Sequence, residues 1–186
     1  MIEAQTLAAL WLSLKLAAVS TTILMIIGVP LAWWLAHSRL RIKPVFEALV
    51  ALPLVLPPTV IGFYLLIALA PNAPLGQFWY NLTGSRLAFS FEALVIGSVI
   101  YSLPFVVQPL QARFSAITLE LRETAMLLGC NTRQTITGLI IPMCSPSLCL
   151  AATMGFAHTI GEFGVVLMIG GNIPNETQVL SIHIFE

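Results

Sequence analysis

Apolar residues run almost unbroken through four stretches of the chain, roughly residues 8–35, 46–70, 91–110 and 145–169. None of them alternates with a period of two, so the strands of a membrane barrel are excluded. Each reaches the about 20 mostly apolar residues that a helix needs to cross a bilayer. The pattern predicts an all-α, polytopic bundle of transmembrane helices, one domain over residues 1–186. Polar residues gather in the linkers, and the longest linker, residues 112–142, is itself patterned. Structureless loops of that length are uncommon in compact proteins unless they have a task. Its spacing predicts two short helices. Thr118 is placed to cap the first, and Glu120 and Glu123 sit in its opening turns, near the positive end of the helix dipole. Gly129 stands where a helix C′ residue would be. Asn131 and Gln134 have capping-box spacing for the second helix, which Pro142 is expected to close.

Composition confirms the choice of solvent. The chain is 58% hydrophobic and 9% charged, against about a quarter charged in soluble domains. Lipid, not water, must cover most of the surface. With net charge zero and no basic tract, nucleic acid is not an expected partner. Cys130, Cys144 and Cys149 have no metal-ligand spacing and are read as free thiols, with no metal site expected. The opening MIEAQTLAAL lacks a basic n-region and leads into an apolar run too long for a signal peptide, so the first span is expected to be retained.

Charge then sets orientation. The linker HSRLRIKPV carries Arg39, Arg41 and Lys43, and the linker after the third run carries Arg113, Arg122 and Arg133. The stretch PNAPLGQFWYNLTGSRLAFS has only Arg86, and GGNIPNETQ has no basic residue. The basic linkers are expected on the cytoplasmic side, which puts the N-terminus outside. Lys15 then lies near the outer end of the first span, where its stem can reach the interface. The closing SIHIFE turns apolar again after an outer loop, and a final C-terminal span missing from this sequence is expected.

In the first short helix of the long linker, Leu121, Thr124, Ala125 and Leu128 share a face. Its small residues would admit close approach by another surface. The competing reading is an amphipathic helix resting on lipid headgroups, but such helices usually carry more lysine. Glu123-Thr124-Ala125, three residues, Gly129, nine residues and Leu139-Ile140-Ile141-Pro142 resemble the EAA loop of ABC importer permeases. Thr124 stands for the usual first alanine, and Leu139 and Ile141 for Ile and Leu. The stretches SLKLAAVSTTILMIIGVPLAWWLAHS, ALPLVLPPTVIGFYLL and GEFGVVLMIGGNIPNETQVLSI are similar to the molybdate permease branch of the type I importers, near the sulfate permeases.

The resemblance implies a type I permease fold in a bacterial inner membrane and a coupling role for Glu123, Thr124, Ala125, Gly129 and Pro142. It further implies a permease homodimer, a cytoplasmic ATPase dimer that uses the ATP, and an outer binding protein that delivers the oxyanion. The chain lacks G-x-x-x-x-G-K-[ST], and its only lysines are Lys15 and Lys43. No catalytic site and no cofactor are therefore expected on it.

Within the spans, Pro57, Pro58, Thr59, Ser102, His158 and Glu162 are the candidates for a pathway or gate. Pro53, Pro57 and Pro58 interrupt the second run, and broken helices commonly line transport pathways. Glu162 would repel a dianion, so its expected role is structural, pairing with a donor such as Lys15, or at an outer gate. His158 is read as a satisfied interior histidine. Thr59, Ser98, Ser102, Gln108, Thr153 and Thr159 supply neutral polar groups and no fixed cation, which suits a conduit better than a trap. Three rivals remain open at this point. One is a sulfate, thiosulfate or tungstate permease, another an ion-coupled secondary transporter, and the third a membrane-anchored interaction protein without transport.

Overall fold

The computed structural model describes residues 2–117 and 119–185. Among them are ten α-helices and no strand. The first, α1 (Ile2–His37), is followed by α2 (Lys43–Val55) and α3 (Pro58–Leu69), then by the short α4 (Pro74–Thr83) and the long α5 (Phe91–Ser115). After the elbow formed by α6 (Leu119–Leu127) and α7 (Thr132–Thr135), a π-helical turn, Ile136–Ile140, leads into α8 (Ile141–Gly161). Two short helices, α9 (Gly164–Gly170) and α10 (Leu180–Phe185), complete the described chain.

Three helices form the frame. Helices α1 and α5 run parallel: Lys15 lies by Phe91, Gly28 by Val106, and the Trp33 and Phe114 rings meet edge-on at 5.2 Å. Helix α8 runs the other way between them, with His158 beside Ser102, Gly155 beside Val106 and Leu24, and Cys144 near Trp33 and Phe114. Two apolar clusters divide the length of the bundle. Leu24, Ala32, Leu35, Val106, Leu110 and Cys144 fill one end, where α1, α5 and α8 converge. Leu16, Leu94, Val165, Ile169 and Ile182 fill the other, under α9 and α10. The flanks of α2 and α3 leave Leu52, Val55, Phe63 and Tyr64 exposed, as expected of a surface that faces lipid or another subunit.

Three features of the second and fourth runs differ from the sequence reading, each with a local cause. The second apolar run is two helices bent by 112°. Pro57 and Pro58 cannot donate to the preceding turn, and Leu56 and Pro57 take extended backbone angles between the two helices. The fourth run is not one helix to residue 169. Glu162 is extended (φ −68°, ψ 130°), and α8 stops at Gly161. The other end of that span also differs. Pro142 does not close a helix, because the chain passes from α7 through the π turn into α8 without interruption, giving one apolar helix over Arg133–Gly161. The Ile141 amide reaches back to the Ile136 carbonyl, and Pro142 falls in the first turn of α8, where a missing donor is tolerated.

The two broken helices pack on each other at their breaks. A Cβ added to Gly164 would fall 2.7 Å from the Pro58 Cβ, and one added to Gly62 would fall 2.7 Å from the Met168 Cβ. Helix α10 is stitched to the frame by polar bonds. The Leu180 amide donates to Ser13 Oγ (2.7 Å), Thr6 Oγ1 meets His183 Nε2 (2.9 Å), and Ser181 Oγ donates to the Glu162 carbonyl (2.6 Å).

Because the Pro58 ring cannot swing aside, Gly164→Val should overpack this crossing at a cost of about 1–3 kcal/mol. The expected result is a thermal midpoint in detergent lowered by about 2–10 °C. Gly161→Ala, whose Cβ meets nothing within 4 Å, should leave the midpoint unchanged. Equal midpoints for both variants would show that the crossing is not tight.

Candidate functional site

Two regions collect the residues singled out by sequence. The first is the elbow. Its helix α6 ends in a Schellman motif: the Gly129 amide donates to the Met126 carbonyl and the Cys130 amide to the Ala125 carbonyl, both at 3.0 Å. Gly129 has φ +83°, a left-handed conformation that costs any L-side chain about 1–2 kcal/mol. The capping box closes reciprocally, with Gln134 N to Asn131 Oδ1 and Asn131 N to Gln134 Oε1, each 2.9 Å. Two caps therefore fix the angle between two short helices that could not persist alone. Thr118 lies outside the described residues, as does the Glu120 side chain, so the first cap proposed for α6 is not among these contacts.

The expected shared face of α6 divides. Ala125 is buried, and with Leu121, Thr124 and Leu128 it borders a groove of about 540 Å³ whose far wall is Gln134, Thr135, Gly138 and Leu139. The small residues thus admit the chain's own second helix. Glu123 is exposed, and Leu127 is 88% exposed beside Met126 and Leu128. Pro142 is exposed at the start of α8. The elbow is tied to the bundle where Arg113 Nη2 donates to the Met143 carbonyl at 2.8 Å.

The second region lies where the two helix breaks meet. A cleft of about 520 Å³ is lined by Pro58, Thr59, Tyr101, His158 and Glu162, with Gly161, Phe163 and Gly164. Pro57 forms the break itself, its carbonyl accepting the Val60 and Ile61 amides. Ser102 lies behind the cleft, its hydroxyl 2.9 Å from His158 Nδ1 and 3.3 Å from Thr159 Oγ1. The His158 ring stacks on Phe105 at 3.9 Å and tilts against Tyr101 at 5.1 Å. At 1.5 Å per residue, Ser102 stands roughly 17 Å from the Phe91 end of α5, about half the depth of a bilayer core.

Glu162 is 5% exposed. It does not pair with Lys15. Its Oε1 accepts the Val165 amide at 2.7 Å, and the Lys15 Nζ rests 4.5 Å over the Phe91 ring. The break explains the change: with Glu162 extended, its carboxylate folds onto the amides that open α9, where a negative group is favoured. Gln108 and Thr153 face outward, so neither joins the cleft. Tyr101, Phe105 and Phe163 were not singled out by sequence. They sit inside apolar runs, where an aromatic reads as packing. The structure shows no group of three or more His, Cys, Asp or Glu able to hold a metal among the described residues.

Comparison with known proteins places this geometry. The family model described as "Binding-protein-dependent transport system inner membrane component" matches residues 28–184. The chain is 51% identical to the molybdenum transport system permease protein ModB of Azotobacter vinelandii, over 97% of this chain and 80% of that protein. It is 30% identical to the protein of the same name from Haemophilus influenzae, over 96% of this chain and 78% of the relative. It is also 31% identical to a probable sulfate transport system permease protein of Anthoceros angustus, over 91% of this chain and 59% of the relative.

Removing the Glu162 carboxylate strands a buried amide, so Glu162→Ala should destabilise the solubilised protein by about 1–3 kcal/mol. Glu162→Gln, which keeps an acceptor, should lose clearly less. The loss from Glu162→Ala should be the same in a Lys15→Gln background, since residues without a shared contact add. A double-variant cycle departing from additivity by more than about 0.5 kcal/mol would restore the ion pair.

Proposed function

The chain belongs to the binding-protein-dependent transport system inner membrane components, and on that premise we propose that it is the permease subunit of an ATP-driven importer of molybdate. It works as a homodimer in a bacterial inner membrane, with its N-terminus outside. A separate ATPase dimer in the cytoplasm drives it, and an outer binding protein delivers the oxyanion. This chain binds no cofactor and catalyses no reaction.

One observation carries the coupling role: an elbow held rigid by two interlocking caps at the end of the bundle where Arg39, Arg41, Lys43, Arg113 and Arg133 lie. A lever must be stiff to transmit a push. The Schellman turn at Gly129 and the Asn131–Gln134 box make this one stiff without lengthening it. Its exposed surface offers Glu123 beside Met126, Leu127 and Leu128, an apolar patch with an acidic marker that suits a protein groove better than an anionic membrane. The push continues through the unbroken helix Arg133–Gly161 to the break at Glu162, some 40 Å away at 1.5 Å per residue. There α9, set off from α8 by the extended Glu162, packs on α3 with Gly164 against Pro58. In this mechanism Pro58, Thr59, His158 and Glu162 border the path that opens and closes, Ser102 orients His158, and Pro57 provides the bend. The path has neutral donors and no fixed cation, and the Glu162 carboxylate is turned onto the Val165 amide, so a dianion passes without being retained.

The cargo assignment is supported by the 51% identity with a molybdenum permease. The sulfate permease relative supports the nearest alternative, another tetrahedral dianion. Both are tested by reconstituting the chain with its ATPase and binding protein in liposomes. ATP-dependent molybdate uptake that excess sulfate fails to inhibit is the expected result. Uptake independent of ATP would reject the mechanism, and equal inhibition by sulfate would reject the cargo.

At the elbow, Gly129→Leu forces a side chain into the left-handed region at a cost of about 1–2 kcal/mol. Recovery of the ATPase with the permease should fall roughly five- to thirtyfold, and Glu123→Arg should act in the same direction. Membrane insertion should be unchanged in both. Undiminished ATPase recovery from both variants would remove the elbow from the coupling contact.

A further inference from the structure

Six of the eight Lys/Arg residues belong to the two basic linkers. The remaining two, Lys15 and Arg86, are far apart in sequence, yet both line one cleft of about 650 Å³ at the opposite end of the bundle. From this convergence we propose that Lys15 and Arg86 form a receiving site for a tetrahedral oxyanion at the mouth of the transport path. The proposal rests on the orientation and cargo given above.

Among the described residues, neither cation is in an ion pair. Lys15 is held over the Phe91 ring at 4.5 Å, a contact that fixes an ammonium without cancelling its charge. The ion pair found among the described residues, Lys43–Glu47 at 3.7 Å, is at the other end of the bundle. Glu176 is the acid that borders the cleft, so the cleft keeps a net positive charge. Ser90 and Asn175 add neutral polar groups to its lining.

The walls are held in place by their own hydrogen bonds. Phe89 takes φ +63° and donates its amide to the Ile169 carbonyl at 3.0 Å. Thr177, fully buried, donates to the Gly170 carbonyl at 2.6 Å and accepts the Ile173 amide at 2.9 Å. The Ile173 carbonyl in turn accepts the amides of Glu176, Thr177 and Gln178. A loop fixed this way holds Asn175 and Glu176 at the cleft that Arg86 also lines.

The division of charge has a physical logic. Cations in a cleft with low-dielectric walls focus the field and raise the local concentration of an arriving anion. Below them the cleft at the helix breaks offers hydroxyls, an imidazole and the Glu162 carboxylate but no fixed cation, so the anion is gathered at the mouth and not trapped within. An anion released by a binding protein would meet this charge first.

Two measurements test the site. The chain has only two lysines, one at each end, so the solubilised protein carries its own control. Sodium molybdate should slow modification of Lys15 by an amine-reactive reagent at least threefold and leave Lys43 unaffected. Equal rates with and without molybdate would overturn the proposal, and this readout does not depend on transport. In the reconstituted transporter, Lys15→Gln with Arg86→Gln should cut uptake about five- to tenfold at low ionic strength. The deficit should shrink at about 0.3 M salt, where the field is screened within a few ångströms. Lys15→Arg with Arg86→Lys should restore uptake. Wild-type uptake by the double Gln variant, or failure of the charge-conserving variant, would also overturn it. Loss of binding-protein association in step with uptake would assign the charges to protein docking and overturn the anion site. Absence of ATP-driven uptake by the wild type would instead count against the proposed function.

Discussion

A helix that breaks inside a bilayer must find partners for the backbone groups it frees, because no water is there to take them. Most of what distinguishes this structure follows from how two breaks meet that demand. At Leu56–Pro57 the prolines lower the demand by having no amide to satisfy, and the Pro57 carbonyl is taken up by Val60 and Ile61. At Glu162 the demand is met with side chains: the carboxylate accepts the Val165 amide, and Ser181 donates to the Glu162 carbonyl. Each break could exist alone, but their placement side by side, with Gly164 against Pro58, turns two local defects into one cleft.

That arrangement explains why a glutamate sits so deep in an apolar chain. A buried carboxylate costs several kcal/mol unless it is well bonded, and here its partners are amides of the turn that its own residue creates. The carboxylate keeps α9 detached from α8 yet anchored to it. Helix α9 is seven residues long, short enough to move as a unit if α8 shifts. Hydrogen bonds to backbone amides can persist through such a movement, whereas an ion pair with Lys15 would have bound the break to α1.

The sequence made the frame legible because its signals were local or repetitive. Long apolar runs marked α1, α5 and α8, and the Gly129 turn and the Asn131–Gln134 box formed as their spacing required. What stayed hidden depends on contacts between distant segments. Pro142 looked like a stop because proline ends most helices, but the π turn at Ile136–Ile140 supplies a register in which the chain continues. Lys15 looked like the partner of Glu162 because both are costly charges in lipid. Nothing local indicated that Phe91 would lie beneath the ammonium. Tyr101 and Phe163 lie in runs where every neighbour is apolar, so their place in the cleft becomes visible only when α3, α5 and α8 are brought together.

The same separation between local and distant signals bears on how the two ends of the bundle can communicate. The elbow and the cleft share no residue, and no hydrogen-bond chain among the described contacts joins them. They share a rigid body: Arg133–Gly161 is one helix, clamped near its start by the Arg113–Met143 bond and released at its end by the extended Glu162. Within it the hydrogen-bond ladder is weakened at Pro146, which cannot donate to the turn before it, and at the wider ring of the π turn. Apolar contacts from Ile140, and from Cys144 just beyond it, into the cluster of Leu35, Leu110 and Phe114 brace that point. Under the proposed coupling, a push on α7 is carried to the glutamate break, where the backbone has already left the helix.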